Sequence, residues 1–419
     1  MGGPGASKPT FREALRLWLK IGCIGFGGPS GQIAILQSEV VEKRGWVGEE
    51  EFLRALQFCM FLPGPEAQQL ATYLGWRLHG IRGGIAAGIL FFLPAAFLLW
   101  GLSLLYVMGN DSPLLHAFFD GLKPAVVAIV VSALWRIGRR TVTSPALALI
   151  AGASFLLLCF HASYPLVVIG AAVIGFFCLK PPGKPESHCE KPRQSDDASW
   201  SASLGVGFVI LLLWFVPLAL LVLWLGFHAL PVQVGIFFGK VAVLSFGGAY
   251  AALSYVTLHA SGDWRWITSG EMLDGLGLAE TTPGPLLIAL QFVAFLACYK
   301  VPGVLSPLLS ATLGSLAALW SLFLPSFLWI FSLAPHMGRI AGNRRVAGSL
   351  SAIGAVVTAV IATLMLWFAH GVFLPHGSIA LGSLGVAFMA FLLLQFKRAG
   401  IISLIVGCGL IGVVIRMVG

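Results

Sequence analysis

The sequence predicts an all-α membrane protein with roughly ten to thirteen spans, built from two related halves. Hydrophobic residues make up 58% of its 419 residues and charged residues only 10%, whereas soluble domains contain about 25% charged residues. Apolar runs of about 20 residues recur along the chain, and each is long enough to cross a hydrocarbon layer of about 30 Å. These runs are continuously apolar rather than alternating with period two, so they predict helices and not barrel strands.

A shift of 220 residues aligns the first half of the chain with the second. Between residues 20 and 65 the alignment needs no gap, and 11 of 46 positions are identical. The pairs include Lys20 with Lys240, Phe26-Gly27-Gly28 with Phe246-Gly247-Gly248, Trp46 with Trp266, Glu51 with Glu271, and Pro63-Gly64-Pro65 with Pro283-Gly284-Pro285. Farther on, Phe92-Leu93-Pro94 matches Phe323-Leu324-Pro325 at a shift of 231. The chain is therefore an internal duplication.

Apolar and polar segments divide the chain into five parts. They are a mobile tail (1–10), a first repeat (11–179), a hydrophilic linker (180–203), an extra connecting helix (204–230) and a second repeat (231–419). In the first repeat, a helix over 11–36 is interrupted at Phe26-Gly27-Gly28-Pro29, and the segment 52–78 is divided by Pro63-Gly64-Pro65, because proline disrupts a helix interior. The second repeat has the corresponding segments 231–258 and 268–299. Some adjacent segments could instead form re-entrant pairs.

The remaining apolar segments complete the predicted set of spans. They lie near 84–107, 114–136, 143–159 and 163–179 in the first repeat, and near 303–333, 346–370, 376–396 and 399–418 in the second.

Arginine clusters predict that the two repeats have opposite orientations. One cluster at 136–140 follows the span 114–136, and another at 339–345 precedes the corresponding span 346–370. If both clusters are cytoplasmic, as the positive-inside bias requires, equivalent helices run in opposite directions. The N-terminus and the linker are then cytoplasmic as well, whereas Lys43 and Arg44 do not fit this scheme.

Inverted repeats with broken helices near the membrane midplane are typical of secondary transporters, whose substrates bind where the breaks meet. Each Pro-Gly-Pro break starts a new helix, and helix N-termini present free N–H groups and the positive end of a dipole to anions. Lys20 and Lys240 add a cation from each repeat inside apolar helices. A small anion is the predicted substrate. The predicted binding residues are Lys20, Gly27, Gly28, Pro63, Gly64, Pro65, Gln68, Lys240, Gly247, Gly248, Pro283, Gly284 and Pro285.

Glu66 and Glu280 are the candidates for proton coupling. The aligned positions hold Leu286 and Met60, so any acidic role is asymmetric. Simpler interpretations stay open for several of these residues: Glu66 can merely cap a helix, Lys20 can extend to the interface, and the glycine pairs can permit close helix packing.

Other functional classes have less support. The net charge of +9 does not predict nucleic-acid binding, because most Lys and Arg lie in short loops where orientation signals belong. The seven cysteines form no C-x-x-C pair and the nine histidines no H-x-x-x-H spacing, so no metal site and no cofactor are expected. The sequence contains no phosphate-binding G-x-x-x-x-G-K-[ST] loop in its polar segments, so it does not predict an ATP motor. A membrane-embedded enzyme would need a cluster of catalytic residues, and the sequence shows none. A passive channel is a further alternative, and its flux would not saturate with substrate.

Several motifs resemble the chromate ion transporter family. They are Trp18-Leu19-Lys20-Ile21-Gly22, Phe26-Gly27-Gly28-Pro29-Ser30-Gly31-Gln32, Leu62-Pro63-Gly64-Pro65-Glu66-Ala67-Gln68-Gln69-Leu70-Ala71, Ser245-Phe246-Gly247-Gly248 and Thr282-Pro283-Gly284-Pro285. The resemblance covers about 11–179 and 231–418, as in the long two-domain form.

This resemblance implies chromate export across the bacterial inner membrane and chromate resistance, with sulfate as the structural analogue. A dianion leaving an inside-negative cell gains about 4.6 kcal/mol per 100 mV, at about 2.3 kcal/mol per charge. The membrane potential, assisted by proton exchange, is the expected driving force. Uptake of sulfate or another oxyanion on the same scaffold is the alternative. The lipid bilayer is the expected surrounding, and a homodimer is compatible with this scheme.

Overall fold

A computed structural model describes residues 9–109, 111–179, 200–246, 248–337, 344–374, 380–396 and 400–418. Every regular element in these residues is a helix, and six helices are long and apolar enough to cross a membrane. The prediction of an all-α polytopic membrane protein is therefore confirmed. Most of the predicted N-terminal tail, most of the linker, and Gly247 lie outside the described residues.

The described residues form α-helices in both halves of the chain. Those of the first half are α1 (Phe11–Ile24), α2 (Gly28–Leu36), α3 (Glu49–Phe61), α4 (Glu66–Met108), α5 (Pro113–Thr141), α6 (Pro145–Cys159) and α7 (Tyr164–Cys178). Those that follow are α8 (Trp200–Leu225), α9 (Leu230–Leu244), α10 (Ala249–Thr257), α11 (Ser269–Thr281), α12 (Ala289–Lys300), α13 (Pro307–Leu333), α14 (Arg344–Phe373), α15 (Leu381–Gln395) and α16 (Ile401–Val418). The six long apolar helices are α4, α5, α8, α13, α14 and α16.

The two halves repeat one order of elements. In each half a glycine-containing break leads into a nine-residue helix, α2 or α10, which continues into a π-helical turn, Gln37–Glu42 or Leu258–Asp263. A 13-residue helix, α3 or α11, then ends at the Pro-Gly-Pro break. The duplication seen in the sequence therefore extends to the succession of helices.

The chain reverses direction at both Pro-Gly-Pro breaks. Arg77 Nε, near the end of the first segment of α4, lies 2.5 Å from Glu51 Oε1 at the start of α3. Lys300 Nζ, at the end of α12, lies 2.6 Å from Glu271 Oε2 at the start of α11. A helix of 13 residues is about 20 Å long, so these ion pairs require each second helix to return beside the first. The breaks are therefore the tips of two Pro-Gly-Pro hairpins. At these positions the adjacent segments form re-entrant pairs, which was the alternative to separate membrane spans.

The glycine breaks are hairpin tips as well. Lys20 Nζ lies 3.0 Å from Glu39 Oε1 although the residues are 19 positions apart, which would be about 28 Å along a continuous helix. In the second half, the ring of Phe237 lies 4.5 Å from that of Trp264, across the corresponding break. We refer to α1–α2 and α9–α10 as the two Gly hairpins.

The long helix α4 contains a third kind of reversal. Its backbone departs from helical angles at His79 and Gly80, and Gly75 and Gly83 touch each other through their backbones. Only glycine permits this approach, because a β-carbon at either position would overlap the facing carbonyl oxygen. The segment before His79 therefore belongs to the first Pro-Gly-Pro hairpin, and the longer segment after Gly80 crosses the molecule.

That longer segment of α4 packs antiparallel to its counterpart α13. The contacts run in opposite order along the two helices: Gly84 faces Phe331, Gly88 faces Phe327, and Phe92 stacks on Phe323. The two stacked rings have centroids 4.3 Å apart and planes inclined by 6°. Since Phe92 and Phe323 are aligned positions, two equivalent helices cross at equivalent residues.

The outer helices are exchanged between the halves in the same reciprocal way. The long helix α5 packs against α15 and α16, and its counterpart α14 packs against α6 and α7. Each half therefore covers the central helix of the other.

The hairpin tips of the two halves are joined by reciprocal backbone hydrogen bonds. The N–H of Gly64 donates to the carbonyl of Ser245 over 3.0 Å, and the N–H of Gly284 donates to the carbonyl of Gly25 over 2.9 Å. The shift of 220 converts either bond into the other. Gln32 reinforces the second one, because its side-chain amide donates to the carbonyls of both Gly25 and Gly284.

Glu39 is the centre of an ionic cluster on the first Gly hairpin. This buried carboxylate pairs with Lys20 at 3.0 Å, Lys43 at 2.8 Å and Arg44 at 2.5 Å. The hydrogen bond from Lys43 and those from the other two cations lower the pKa of Glu39 to about 2. Because the pKa is lowered, the stabilisation is present above the usual glutamate pKa and is lost only as the pH falls towards 2.

We expect Glu39→Gln to destabilise the protein, because three cations would then share no carboxylate. The expected loss is about 1–3 kcal/mol, measured as a lower midpoint of thermal unfolding in detergent. Glu42→Gln is the matched control, since Glu42 is exposed on the same turn. Equal midpoints for the two variants would contradict this role of Glu39.

We expect Gly284→Ala to destabilise the second Pro-Gly-Pro tip. Gly284 has a φ of +125°, and a β-carbon there would lie 2.5 Å from the β-carbon of Ala95. The combined strain should cost about 1–3 kcal/mol in the same unfolding assay, and adding Ala95→Gly should restore part of it. The control is Gly152→Ala, where a β-carbon meets open space. A Gly284→Ala protein as stable as this control would contradict the close approach.

Candidate functional site

A cavity of about 420 Å³ lies beside the hairpin tips and is lined by both halves. We call it the large cavity. Its polar lining comes from four elements: Gly27 and Gly28 at the first Gly tip, Ser132 and Arg136 on α5, Tyr250 on α10 and Glu280 on α11. The cavity therefore depends on contacts between elements that are far apart in the chain.

Glu280 is a buried carboxylate in the wall of the large cavity. The hydroxyl of Tyr250 donates to its Oε1 over 3.2 Å, and Arg136 is close enough for a direct electrostatic interaction. The aligned positions in the first half are Met60 for Glu280 and Ser30 for Tyr250. This acid, phenol and guanidinium group is therefore specific to one side of the duplication.

The start of α2 also faces the large cavity. Gly27 and Gly28 have φ values of +91° and +64°, which turn the chain so that α2 begins at Gly28. No side chain caps this helix start, so its first N–H groups are available to an anion. The helix start that contributes to the cavity is thus that of α2, next to the glycine pair.

The equivalent helix start in the second half is occupied by Glu66. Oε1 of Glu66 lies 3.4 Å from the position that a β-carbon on Gly248 would take, and Gly248 is the residue before α10. A carboxylate at this position complements the helix dipole. The two equivalent helix starts therefore differ, since one opens into a cavity and the other has a carboxylate beside it.

The structure brings together only some of the predicted site residues. Gly27, Gly28 and Glu280 line the large cavity, and Gly64 and Gly284 form the reciprocal bonds between the tips. Their flanking prolines, Pro63, Pro65, Pro283 and Pro285, shape those tips. Gln68 is buried, and its amide oxygen and nitrogen have no hydrogen-bond partner within the described residues.

The two predicted lysines lie elsewhere. Lys20 is half-exposed and paired with Glu39, and Lys240 is exposed on α9. Neither lines the large cavity. The cation of the cavity is Arg136. From the sequence, Arg136 was predicted only to be an orientation signal. Its position at the end of the apolar run 114–136 was the available clue, because an arginine within a membrane helix is expensive and commonly functional.

The donor set suits an oxyanion. A guanidinium, a free helix start and the hydroxyl of Ser132 can all donate hydrogen bonds, and charge-assisted bonds of the kind that a guanidinium makes are the strong ones. Glu280 can take up or release a proton beside them. Within the described part of the chain, no group of three or more His, Cys, Asp or Glu side chains could hold a metal ion.

Comparison with known proteins gives matches across nearly the whole chain. The sequence model of the chromate transporter family matches residues 12–176 and 232–413. The chain is 29% identical over 410 residues to the chromate transport protein of Pseudomonas aeruginosa, covering 96% of this chain and 92% of that protein. It is 24% identical over 414 residues to the chromate transport protein of Cupriavidus metallidurans, covering 97% and 93%.

A third relative is the probable chromate transport protein of Synechococcus elongatus, which is 25% identical over 374 residues and is matched over 84% of this chain and 83% of its own length. No solved structure matches the chain significantly. Because the family model matches both halves, hairpin tips included, this chain belongs to the chromate transporter family.

Proposed function

We propose that this protein is a secondary transporter that exports chromate, a sulfate-like dianion, across the bacterial inner membrane and so confers chromate resistance. The observation that carries the proposal is the large cavity, where Arg136 and the uncapped start of α2 face the same space. The relatives named chromate transport proteins support the choice of substrate.

The charges of the cavity suggest how a proton is coupled to the anion during the cycle. A dianion beside Arg136 also lies beside Glu280, and like charges in one buried site raise the cost of ionisation. We infer that Glu280 accepts a proton when the anion is bound and returns it when the anion leaves. Tyr250 keeps the carboxyl group oriented through its hydrogen bond.

The distribution of basic residues supports a cytoplasmic N-terminus. The carbonyl of Pro9 lies 2.9 Å from His79 Nε2, so the chain start and the turn within α4 share one side. The hairpins bring Lys43, Arg44 and Arg77 to that side, and α5 returns there with Arg139 and Arg140. This arrangement removes the conflict that Lys43 and Arg44 posed, and it favours that side as the cytoplasmic one.

The antiparallel crossing of α4 and α13 supports an inverted topology of the two halves. With the N-terminal side in the cytoplasm, the membrane potential drives a dianion outward by about 4.6 kcal/mol per 100 mV, or by about 2.3 kcal/mol per 100 mV when the proton of Glu280 crosses with it. Export therefore needs no further energy source at a moderate concentration gradient.

We expect Arg136→Gln to reduce anion flux in proteoliposomes by about tenfold or more, since a lost charge-assisted contact is worth about 1.5–3 kcal/mol. Flux of sulfate and chromate would be measured under an imposed potential without a pH gradient. Arg139→Gln is the matched control, because Arg139 stacks on Trp135 one turn away and does not line the cavity. Lys20→Met and Lys240→Met should retain flux.

The same vesicles decide the direction of transport. Movement of the dianion towards the positive side supports export, whereas flux that requires inward proton movement supports uptake of an oxyanion. Equal loss of flux in Arg136→Gln and Arg139→Gln would contradict the placement of the substrate, and loss in both lysine variants would return the site to the lysines.

We expect Glu280→Gln to abolish the pH dependence of flux, because glutamine cannot exchange a proton. The measurement is initial flux between pH 5.5 and 8, compared at matched protein levels. Glu66→Gln is the paired variant and should keep the dependence of the parent protein. If Glu66→Gln alone removes it, proton exchange belongs to the start of α10 and not to the large cavity.

A further inference from the structure

A second and much smaller cavity lies against α14, the counterpart of α5. Its volume is about 10 Å³, about the space of one water-sized sphere. Its walls come from the end of α6, the start of α7, the segment from α10 into its π-helical turn, and α14. We call it the small cavity.

The small cavity has the same construction as the large one. The shift of 231 that aligns the crossing helices α4 and α13 also aligns α5 with α14. It converts Ile129, Ser132 and Arg136 of the large cavity into Val360, Thr363 and Trp367, and all three line the small cavity.

The walls from the outer helices correspond in the same way. Leu158 and Tyr164, at the end of α6 and the start of α7, line the small cavity. Leu394 and Ile401, at the end of α15 and the start of α16, line the large one. The two cavities therefore share corresponding outer walls, whereas their inner walls, which include Tyr250 and Glu280 only in the large cavity, differ.

The two cavities differ in volume and in chemistry. Aromatic rings fill the small one: Tyr164 and Tyr255 have ring centroids 5.4 Å apart, and Trp367 stands where the large cavity has Arg136. The hydroxyl of Tyr164 donates to the carbonyl of Leu244 over 3.2 Å, at the second Gly tip. The small cavity is thus closed, and its closure is tied to a hairpin tip.

We propose that the small cavity is the closed state of a second access route, through which the oxyanion leaves on the opposite side of the membrane. In a protein of two equivalent halves, an exchange of their conformations yields a second state that opens the other route. Because equivalent helices run antiparallel, a route along α14 leads to the side opposite that reached along α5. This inference rests on the transport activity proposed above.

Because Trp367 stands where the other route has Arg136, the two routes differ in their affinity for the anion. The route along α5 offers a guanidinium to the dianion. The described lining of the small cavity, along α14, has no charged side chain and offers hydroxyl groups, such as those of Ser254, Thr257 and Thr363, and aromatic rings. The anion is therefore captured along α5 and held more weakly along α14.

Cysteine accessibility tests the second route. Thr363→Cys and Ser132→Cys would be placed separately in the full chain with its seven native cysteines replaced, and reconstituted in vesicles whose sulfate flux is measured in parallel. Sulfate is used because chromate oxidises thiols. A membrane-impermeant maleimide is added to the side opposite the N-terminus for Thr363→Cys, Val360→Cys and Leu366→Cys, and to the N-terminal side for Ser132→Cys. Leu366→Cys is the control, since Leu366 lies on the same helix, is exposed and lines neither cavity.

We expect Thr363→Cys to be unreactive without sulfate and to react at least about tenfold faster during turnover, as the closed route becomes populated in its open state. Ser132→Cys should react with maleimide from the N-terminal side, and its rate of reaction should fall during turnover. The reactivity of Leu366→Cys should be the same with and without turnover. Val360→Cys gives the same readout if Thr363→Cys does not assemble.

Two failures are distinguishable. Sulfate flux with no change in the reactivity of Thr363→Cys and Val360→Cys would overturn the second route while leaving transport intact. No flux of sulfate or chromate by the parent protein would overturn the transport proposal and this inference with it.

Discussion

The structure depends on one constraint: the backbone of four hairpin tips must be satisfied in the interior of a membrane protein. An N–H or carbonyl group without a partner in such surroundings costs several kcal/mol. The tips of one half obtain their partners from the other half, through the bonds from Gly64 to Ser245 and from Gly284 to Gly25. Neither half can form its tips alone, so the same bonds that satisfy the backbone fix the relative position of the halves.

Because the two halves are duplicates, aligned positions that hold different residues are informative. The glycines that donate the reciprocal bonds, Gly64 and Gly284, are the same in both halves, whereas the accepting carbonyls belong to Ser245 and Gly25. The polar groups of the large cavity are instead found on one side only, because the counterparts of Arg136, Tyr250 and Glu280 are Trp367, Ser30 and Met60. A scaffold with equivalent halves thus holds one charged cavity and one smaller, aromatic counterpart.

Charge also separates structural from functional candidates here. Lys20, the cation that the repeated sequence favoured, neutralises the buried Glu39 together with two other cations. Arg136, which has no equivalent in the second half, is the cation that faces the large cavity. Repetition therefore marked the residues that build the tips, whereas the ionisable side chains of the large cavity, Arg136, Tyr250 and Glu280, differ between the halves.

The sequence by itself determined the fold class, the duplication and the location of the breaks, because these follow from composition and fixed backbone preferences. It also singled out Gly27, Gly28 and Glu280, which the structure places in the wall of the large cavity. Only the tertiary structure decided that each break is a hairpin tip, that α5 supplies the cation of the cavity, and that Glu66 lies beside Gly248. Helix direction after a break and the pairing of distant side chains depend on packing between the halves, and a local pattern in one half carries no information about the partner that the other half provides.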